Sequence, residues 1–286
     1  MAERKNAGGE LCGSIFDPTG NITALVESDV AVERQPAVAA ALMRRHPEVE
    51  QVGFVRLAEG GARVQAELRM AGGEFCGNAS MSAAALWCIR QGQTVDAAAP
   101  CAVLLRVSGA AEPVEVRLRE EAADTYAASV RMPRALDITE REFVLETCRD
   151  RLPVVRMEGI THVLIEERSV FFALREDETA AARAVKSWCA RLGADGLGLM
   201  FLEGGQSERR LTPLVYVPVG DTLFWESSCA SGSAAVGMTL AARAGARAAL
   251  TLAEPGGSLR VESEPAGGET WLCGKTRLLS TWRAES

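Results

Sequence analysis

Two cysteines stand where a thiol could do chemistry. Cys76 lies in "GGEFCGNASMSAAAL" and Cys229 in "ESSCASGSAAVGM", each directly ahead of small, helix-tolerant residues. Met81, Ala84, Ala85 and Cys88 follow helical spacing after the first cysteine, as do Ala235, Met238, Thr239 and Ala242 after the second. Gly92 and Gly245 fall at the same separation from their cysteines and end both patterns. The layout predicts two equivalent helices with a cysteine at each mouth. A helix's first turn leaves backbone N–H groups unpaired and carries partial positive charge. That environment lowers a thiol's pKa and can hold a carboxylate. Gly77-Asn78 and Ala230-Ser231, which follow the two sulfurs, suit a close approach of backbone to ligand.

If both mouths face one cleft and bind one amino-acid carboxylate, the thiols reach its α-carbon from opposite sides. One thiolate removes the α-proton while the opposing thiol delivers another, and the two dipoles hold the developing charge. This chemistry uses no pyridoxal phosphate, metal or nicotinamide, so no cofactor is expected. Two other readings compete. Both cysteines could be small core residues capping buried helices, or one could be the nucleophile of a thiol hydrolase, which needs a base. Only His46 and His162 are available. His46, in "RRHP", reads as an exposed helix end, whereas His162, in "GITHVLIEE", begins a strand and is the better candidate.

The elements that must position these residues alternate along 286 residues, a length that favours two domains over one. "NITALVES", "QVGFVRL", "ARVQAELRM", "AVLLRVS", "VEVRLRE" and "TYAASVRM" read as strands, with "PAVAAALMRRHP" a helix among them. In the second half, "TEREFVLETCRDRL" and "DETAAARAVKSWCARLGA" read as helices. "THVLIEE", "LGLMFLE", "LTPLVYVP", "TLFWES", "ALTLAEP", "SLRVESEP" and "TWLCGKTRLLSTW" read as strands. The boundary falls near "SVRMPRALD". A net charge of -7 and pI near 5.2 speak against nucleic-acid binding. No apolar run approaches the roughly 18 residues of a membrane span, and "MAERKNAGGELCGS" lacks the apolar core of a secretory signal. A soluble, cytoplasmic protein is expected. Eight cysteines without a C-x-x-C, and only two histidines, make a structural zinc site unexpected. Cys88, Cys148 and Cys189 read as inert positions within amphipathic helices.

The two cysteine motifs resemble those of cofactor-independent amino-acid racemases and epimerases of the diaminopimelate-epimerase fold. The resemblance runs along nearly the whole chain. "FDPTGNITALV", "VEQVGF", "GGEFCGNASMS", "VYVPVGDTLFWESSCASGSAAVG" and "EPGGSLRVES" follow in the family order. Within the family the phrases are most similar to histidine racemases of staphylopine-type opine metallophore biosynthesis. The resemblance implies an α/β (α+β) fold of two pseudo-symmetric domains, residues 1–132 and 133–274. Each would be a barrel-like sheet around a central helix, with the active site in the cleft between them. A C-terminal strand, 275–286, would return to the first domain. It implies Cys76 and Cys229 as the acid/base pair. Gly77, Asn78, Ala230 and Ser231 would bind the substrate's α-carboxylate and α-amino group, Asn21 would contact substrate, and Glu50 and Gln51 would lie near the side-chain pocket. His162 and Glu226 are further candidates. The fold also admits a homodimer.

The departures from the family bear on the substrate. Diaminopimelate epimerases carry a Glu-Arg pair where this chain reads "VPVGDTLFW", and Gly198 stands where they use an asparagine for the distal group. Diaminopimelate is therefore disfavoured. Proline racemases place a histidine where this chain has Asn78, and phenazine-type isomerases lack the cysteine pair. Histidine is the expected substrate, with Glu50 as the expected partner of an imidazole N–H. The rivals are an epimerase of another amino acid and an amino-acid-binding protein without turnover.

Overall fold

The computed structural model describes residues 10–59, 61–93, 95, 100–205, 209–265 and 267–284. Residues 1–9 of the stretch read for a secretory signal lie outside them. The first half builds β1 (Leu11–Pro18), β2 (Thr23–Val26), α1 (Gln35–Arg45), β3 (Gln51–Leu57), β4 (Ala66–Met70) and α2 (Gly77–Gln91). It continues with β5 (Cys101–Val107), β6 (Val114–Ala122) and β7 (Thr125–Arg131). The second half builds β8 (Asp137–Leu145), β9 (Cys148–Met157), β10 (Ile160–Glu166), α3 (Glu178–Leu192), β11 (Leu197–Glu203) and β12 (Arg209–Val217). After these come β13 (Thr222–Trp225), α4 (Ala230–Ala244), β14 (Ala248–Glu254), β15 (Gly257–Ser263) and β16 (Thr270–Ala284).

Strands β1 to β7 neighbour one another in chain order, and β16 pairs with both β7 and β1, closing an eight-stranded barrel. Strand β16 also pairs with β15, from which the sheet continues through β14, β12, β11, β10 and β9 to β8. This second half curves around α4 without closing. Helix α2 fills the barrel. Ala79, Ala83, Ala84, Ala85 and Leu86 are fully buried, and its polar Ser82 is matched by Thr276 of β16, Oγ to Oγ1 at 3.0 Å. Helix α4 is equally sunk. A Cβ on its Gly237 would lie 2.8 Å from Val261 of β15, so the helix meets the sheet at backbone distance. Alanine, glycine and serine are what permit a helix inside so narrow a wall, since close-packed interiors have no slack for larger side chains.

Both helices stop as their glycines suggest. Gly92 and Gly245 take left-handed conformations, φ 60° and 61°, that side chains with a Cβ resist. Helix α3 instead covers the outer face of the second sheet. Its Trp188 packs on Phe143 of β8 at a ring separation of 4.7 Å.

One segment differs from its sequence pattern. "TEREFVLETCRDRL" is not a helix but the β8–β9 hairpin, turning at Glu146 with φ 53°. Its Glu and Arg residues are good helix formers, yet they are exposed and several of them are engaged in surface ion pairs. Tertiary contacts decide the matter: Phe143 and Leu152 are buried beneath α3, which demands an extended pair there. Cys148 accordingly begins a strand and is exposed rather than packed on a helix. Strand β1, which carries no alternating pattern, was also not anticipated.

The two halves touch through backbone. Gly20, φ 88°, sits so close to Gly256 that a Cβ on it would lie 2.4 Å from the Gly256 Cα. Neither contact atom is at the end of a flexible side chain. Gly20→Ala should therefore cost at least about 1–2 kcal/mol from the left-handed conformation alone. The expected result is a Tm lower by roughly 2–8 °C in a thermal melt, with loss of activity from splayed loops.

Candidate active site

Cys76 is the residue immediately before α2, in extended conformation (φ −133°, ψ 113°), and its sulfur caps the helix by accepting from the Ala79 N–H at 3.3 Å. The thiol donates to Gln51 Oε1 at 3.0 Å. Gln51 in turn donates to Thr23 Oγ1 at 2.7 Å, and Thr23 donates to the Asn21 carbonyl at 2.9 Å. This chain of bonds sets the direction of the S–H. Gln51, expected from resemblance beside the side-chain pocket, is thus engaged with the cysteine.

Cys229 holds the matching position before α4 (φ −125°, ψ 98°) but does not cap it. Glu254, at the end of β14, does so instead. It accepts from the Cys229 N–H at 2.6 Å and from the Ser233 hydroxyl. The Cys229 sulfur lies 3.7 Å from Ser231 Oγ.

The two helix mouths meet. A Cβ on Gly77 would fall 2.8 Å from the Ala230 Cβ, and Asn78 Nδ2 donates across the seam to the Ser228 carbonyl at 3.1 Å. Between them opens one cavity of about 260 Å³, lined by both cysteines and by Asn21, Glu50, Gln51, Gly77, Asn78, Ala230 and Ser231. Every residue expected to touch substrate is brought together there. Glu226, a further candidate, also lines it, as does Glu74. Val215, Val217, Val219 and Phe224 form an apolar wall, facing Ala39, Ala40 and Met43 of α1. Such a volume suits a single small metabolite; drug-sized ligands take roughly 300–1,000 Å³.

His162 is not part of this lining. It is fully buried on β10 beside Gly198 of β11, where a Cβ would come within 2.4 Å of its Nδ1. Burial pushes its pKa down to about 3, so it is a neutral interior side chain and no partner for either thiol. Gly198 is explained by the same contact: it makes room for the imidazole. Trp225 packs on Phe201 at 5.7 Å, leaving the cavity to Phe224.

The electrostatics invert one expectation. Helix mouths were expected to depress both thiol pKa values. Burial instead pushes Cys76 up to about 12, helped by the Glu226 and Glu74 carboxylates and only partly offset by the Ala79 N–H and Gln51. Cys229 is pushed up well above its ordinary value, first by burial and then by Glu226 beside it. Glu226 itself rises to about 8, through burial and the neighbouring Glu50 and Glu74 charges. Glu254 also rises to about 8 through burial, against the pull of its bonds to Ser233 and Cys229. Desolvation next to several carboxylates outweighs two helix dipoles, which act only over the first turn. Glu74 and Glu254 escaped the sequence reading. For Glu74 a signal existed, because an acid precedes each cysteine within a few residues, Glu74 before Cys76 and Glu226 before Cys229.

A sequence-family profile described as the histidine racemase CntK N-terminal domain matches residues 14–271. The chain belongs to the histidine racemase family. The family's curated members include a histidine racemase of Fusobacterium nucleatum, 29% identical over 79% of each chain. The histidine racemase of Staphylococcus aureus is 28% identical over 95% of this chain and 96% of its own. Among solved structures, a hydroxyproline epimerase from Agrobacterium vitis superposes with a TM-score of 0.69 at 14% identity, covering 99% of this chain and 94% of that one. A phenazine biosynthesis protein of the PhzF family from Bacillus anthracis gives 0.62 at 11% identity, covering 96% and 99%. These two likenesses concern the fold alone. As a member of the histidine racemase family, the protein is an isomerase, an amino-acid racemase.

The raised thiols have a chemical signature. Iodoacetamide should label exposed Cys148 readily in the reduced, ligand-free protein at pH 7.5. Cys76 and Cys229 should react at least about tenfold more slowly, and their rates should still be climbing at pH 10. Peptide mass spectrometry at several pH values reads this directly. A plateau for either cysteine below pH 8 would contradict the burial argument.

Proposed function

We propose that the protein interconverts L- and D-histidine by a two-thiol mechanism in which Cys76 and Cys229 address opposite faces of Cα. The supporting observation is the make-up of the cavity. Both cysteines share it with three carboxylates, Glu50, Glu74 and Glu226, and among the described residues no Lys, Arg or His lines it. Such a site repels a substrate bearing a second carboxylate, as diaminopimelate does, and suits one whose side chain offers N–H donors. The curated relatives named for histidine point the same way.

The N–H groups of Gly77, Asn78, Ala230 and Ser231 belong to first turns, which lack intrahelical acceptors, and they would hold the α-carboxylate. Asn21 Oδ1 and Asn78 Oδ1 are buried acceptors without a protein partner, and they would take the α-ammonium. Since both thiols rest protonated, a proton must leave one of them before chemistry starts. Glu226, in contact with the Cys229 thiol, accepts it. The Cys229 thiolate then removes the α-proton of one enantiomer, and Cys76 donates its own to the opposite face. Product leaves with Cys229 as thiol and Cys76 as thiolate; Cys76 regains a proton from water as Glu226 releases one. The reverse direction starts from that Cys76 thiolate. No cofactor takes part in these steps. We further propose that the enzyme acts in the cytoplasm and that its D-histidine is a precursor for an opine-type metallophore, a reading that rests on the resemblance of its motifs.

Incubation of the reduced protein with L-histidine in heavy water tests this reading. Deuterium should enter Cα as optical rotation decays, and a panel of other amino acids should exchange more slowly. Binding without exchange would leave only a binding protein. Cys76→Ser and Cys229→Ser should each lower racemisation by about 10²–10⁴-fold; full activity in either would dismiss the pair. The pH profile adds a third check. A carboxyl with pKa near 8 is protonated below that value and ionised above it. Because only the ionised form accepts the thiol proton, kcat/KM should rise with pH through about 8. Glu226→Gln should abolish that limb. Glu254 titrates in the same range but faces the backbone of α4, so a limb surviving in Glu226→Gln would shift the assignment to Glu254.

A further inference from the structure

The three cavity carboxylates are not equivalent. Glu50 is largely occupied: it accepts from Asn21 Nδ2 at 2.8 Å, from the Ser227 N–H at 3.1 Å, and from the Ser227 hydroxyl. Asn21 and Glu50 belong to the first half and Ser227 to the second, so Glu50 is a staple across the cleft. Glu226 lies against the Cys229 thiol. Of the three, and among the described residues, Glu74 has a buried carboxyl oxygen, Oε2, with no partner in good hydrogen-bond geometry; its carboxyl is eased by the nearby Glu74 and Gly72 N–H groups and the Arg69 charge.

An unpaired buried carboxylate oxygen carries a large desolvation penalty, so its placement calls for an explanation. The backbone around it is anchored. Ser108 donates to the Glu74 carbonyl at 2.8 Å, and Gly109, φ 68°, packs its Cα against Phe75, where a Cβ would meet the Phe75 nitrogen at 2.3 Å. The Cα from which the carboxylate extends is therefore fixed in place. Oε2 rests beside Gly72, where a Cβ would intrude to 2.4 Å, and the same Cβ would lie 3.2 Å from Val217 of the apolar wall. Oε2 is thus packed in the cavity wall beside Gly72 and near Val217, both of which line the space that a substrate side chain would enter if Cα sits between the helix mouths. Arg69 lends Glu74 a favourable charge but does not itself line the cavity.

From this geometry we propose that Glu74, rather than Glu50, is the specificity-determining residue, its Oε2 accepting an N–H from the imidazole of the substrate. The inference rests on the histidine reading above and deepens it. Glu50 then serves to hold the two halves together, and Gly72 is small because the carboxylate and the ring need its space.

The test is a double-mutant cycle between protein and substrate. Wild type, Glu74→Gln and Glu74→Ala are assayed by Cα deuterium exchange with L-histidine and with its two ring-N-methylated isomers. In wild type, one methyl isomer should lose about 10–100-fold in kcat/KM, the effect of removing a hydrogen bond to a charged group. Both variants should lose a similar factor on histidine, mainly through KM, and should discriminate against that isomer by no more than about threefold. Gly72→Ala, which crowds Oε2, should reproduce the loss on histidine while leaving the thiol labelling pattern unchanged. Glu50→Gln should lower Tm and leave the methyl discrimination intact. Undiminished discrimination in both Glu74 variants, or none in wild type, overturns the assignment while histidine racemisation stands. Absence of histidine exchange in wild type overturns both readings together.

Discussion

The two buried helices meet mouth to mouth at Gly77 and Ala230, with too little room for even one additional methyl group. That close approach governs the rest of the molecule. It places two sets of unpaired N–H groups on one small space, and it obliges each helix to run through the centre of its own half rather than over its surface. A central helix needs a wall of strands around it and short side chains along it. The runs of Ala, Ser and Gly in α2 and α4 answer that need, as does the barrel of β1 to β7 closed by β16. The cavity is what remains between the mouths once the walls are in place.

Desolvation is the second consequence. Burial raises both thiols, and the acids around the mouths are not balanced by lining cations among the described residues. Both thiols and Glu226 therefore rest in their neutral forms. A positively charged group beside these acids would favour their ionised forms. Glu254 plays a quieter part. It holds the Cys229 N–H and the Ser233 hydroxyl at the mouth of α4; among the described residues no carboxylate does the same at the Cys76 mouth, where the thiol instead meets Gln51. The matched pair is thus chemically unequal.

Much of this was legible in the residues. The repeated order of cysteine, small-residue run and glycine marked both central helices and their ends, because helix start and stop signals are local. The cavity-lining residues Asn21, Glu50, Gln51, Gly77, Asn78, Ala230 and Ser231 were expected from motifs that resemble the family's. What was not legible depended on the partner across space. The β8–β9 hairpin is composed of residues that favour helix, and only the burial of Phe143 and Leu152 under α3 makes it extended. His162 looked available for catalysis, yet its strand register beside Gly198 turns it into the interior. The thiol pKa values were misjudged for the same reason. A helix mouth can be read from neighbours in sequence, whereas the burial that raises both thiols depends on walls assembled from distant stretches of chain.

Strand β16 serves both halves at once, with Thr270–Cys273 alongside β15 of the second half, Trp271–Arg277 alongside β7 and Thr276–Ala284 alongside β1 of the first. The barrel that houses Cys76 is accordingly sealed by a segment translated after everything else in either half. On the ribosome the first seven strands must wait, unsealed, until that last segment emerges. Completion of the earlier-made half is therefore coupled to completion of the later one, and a chain interrupted before β16 would leave β1 and β7 as open edges exposed to aggregation.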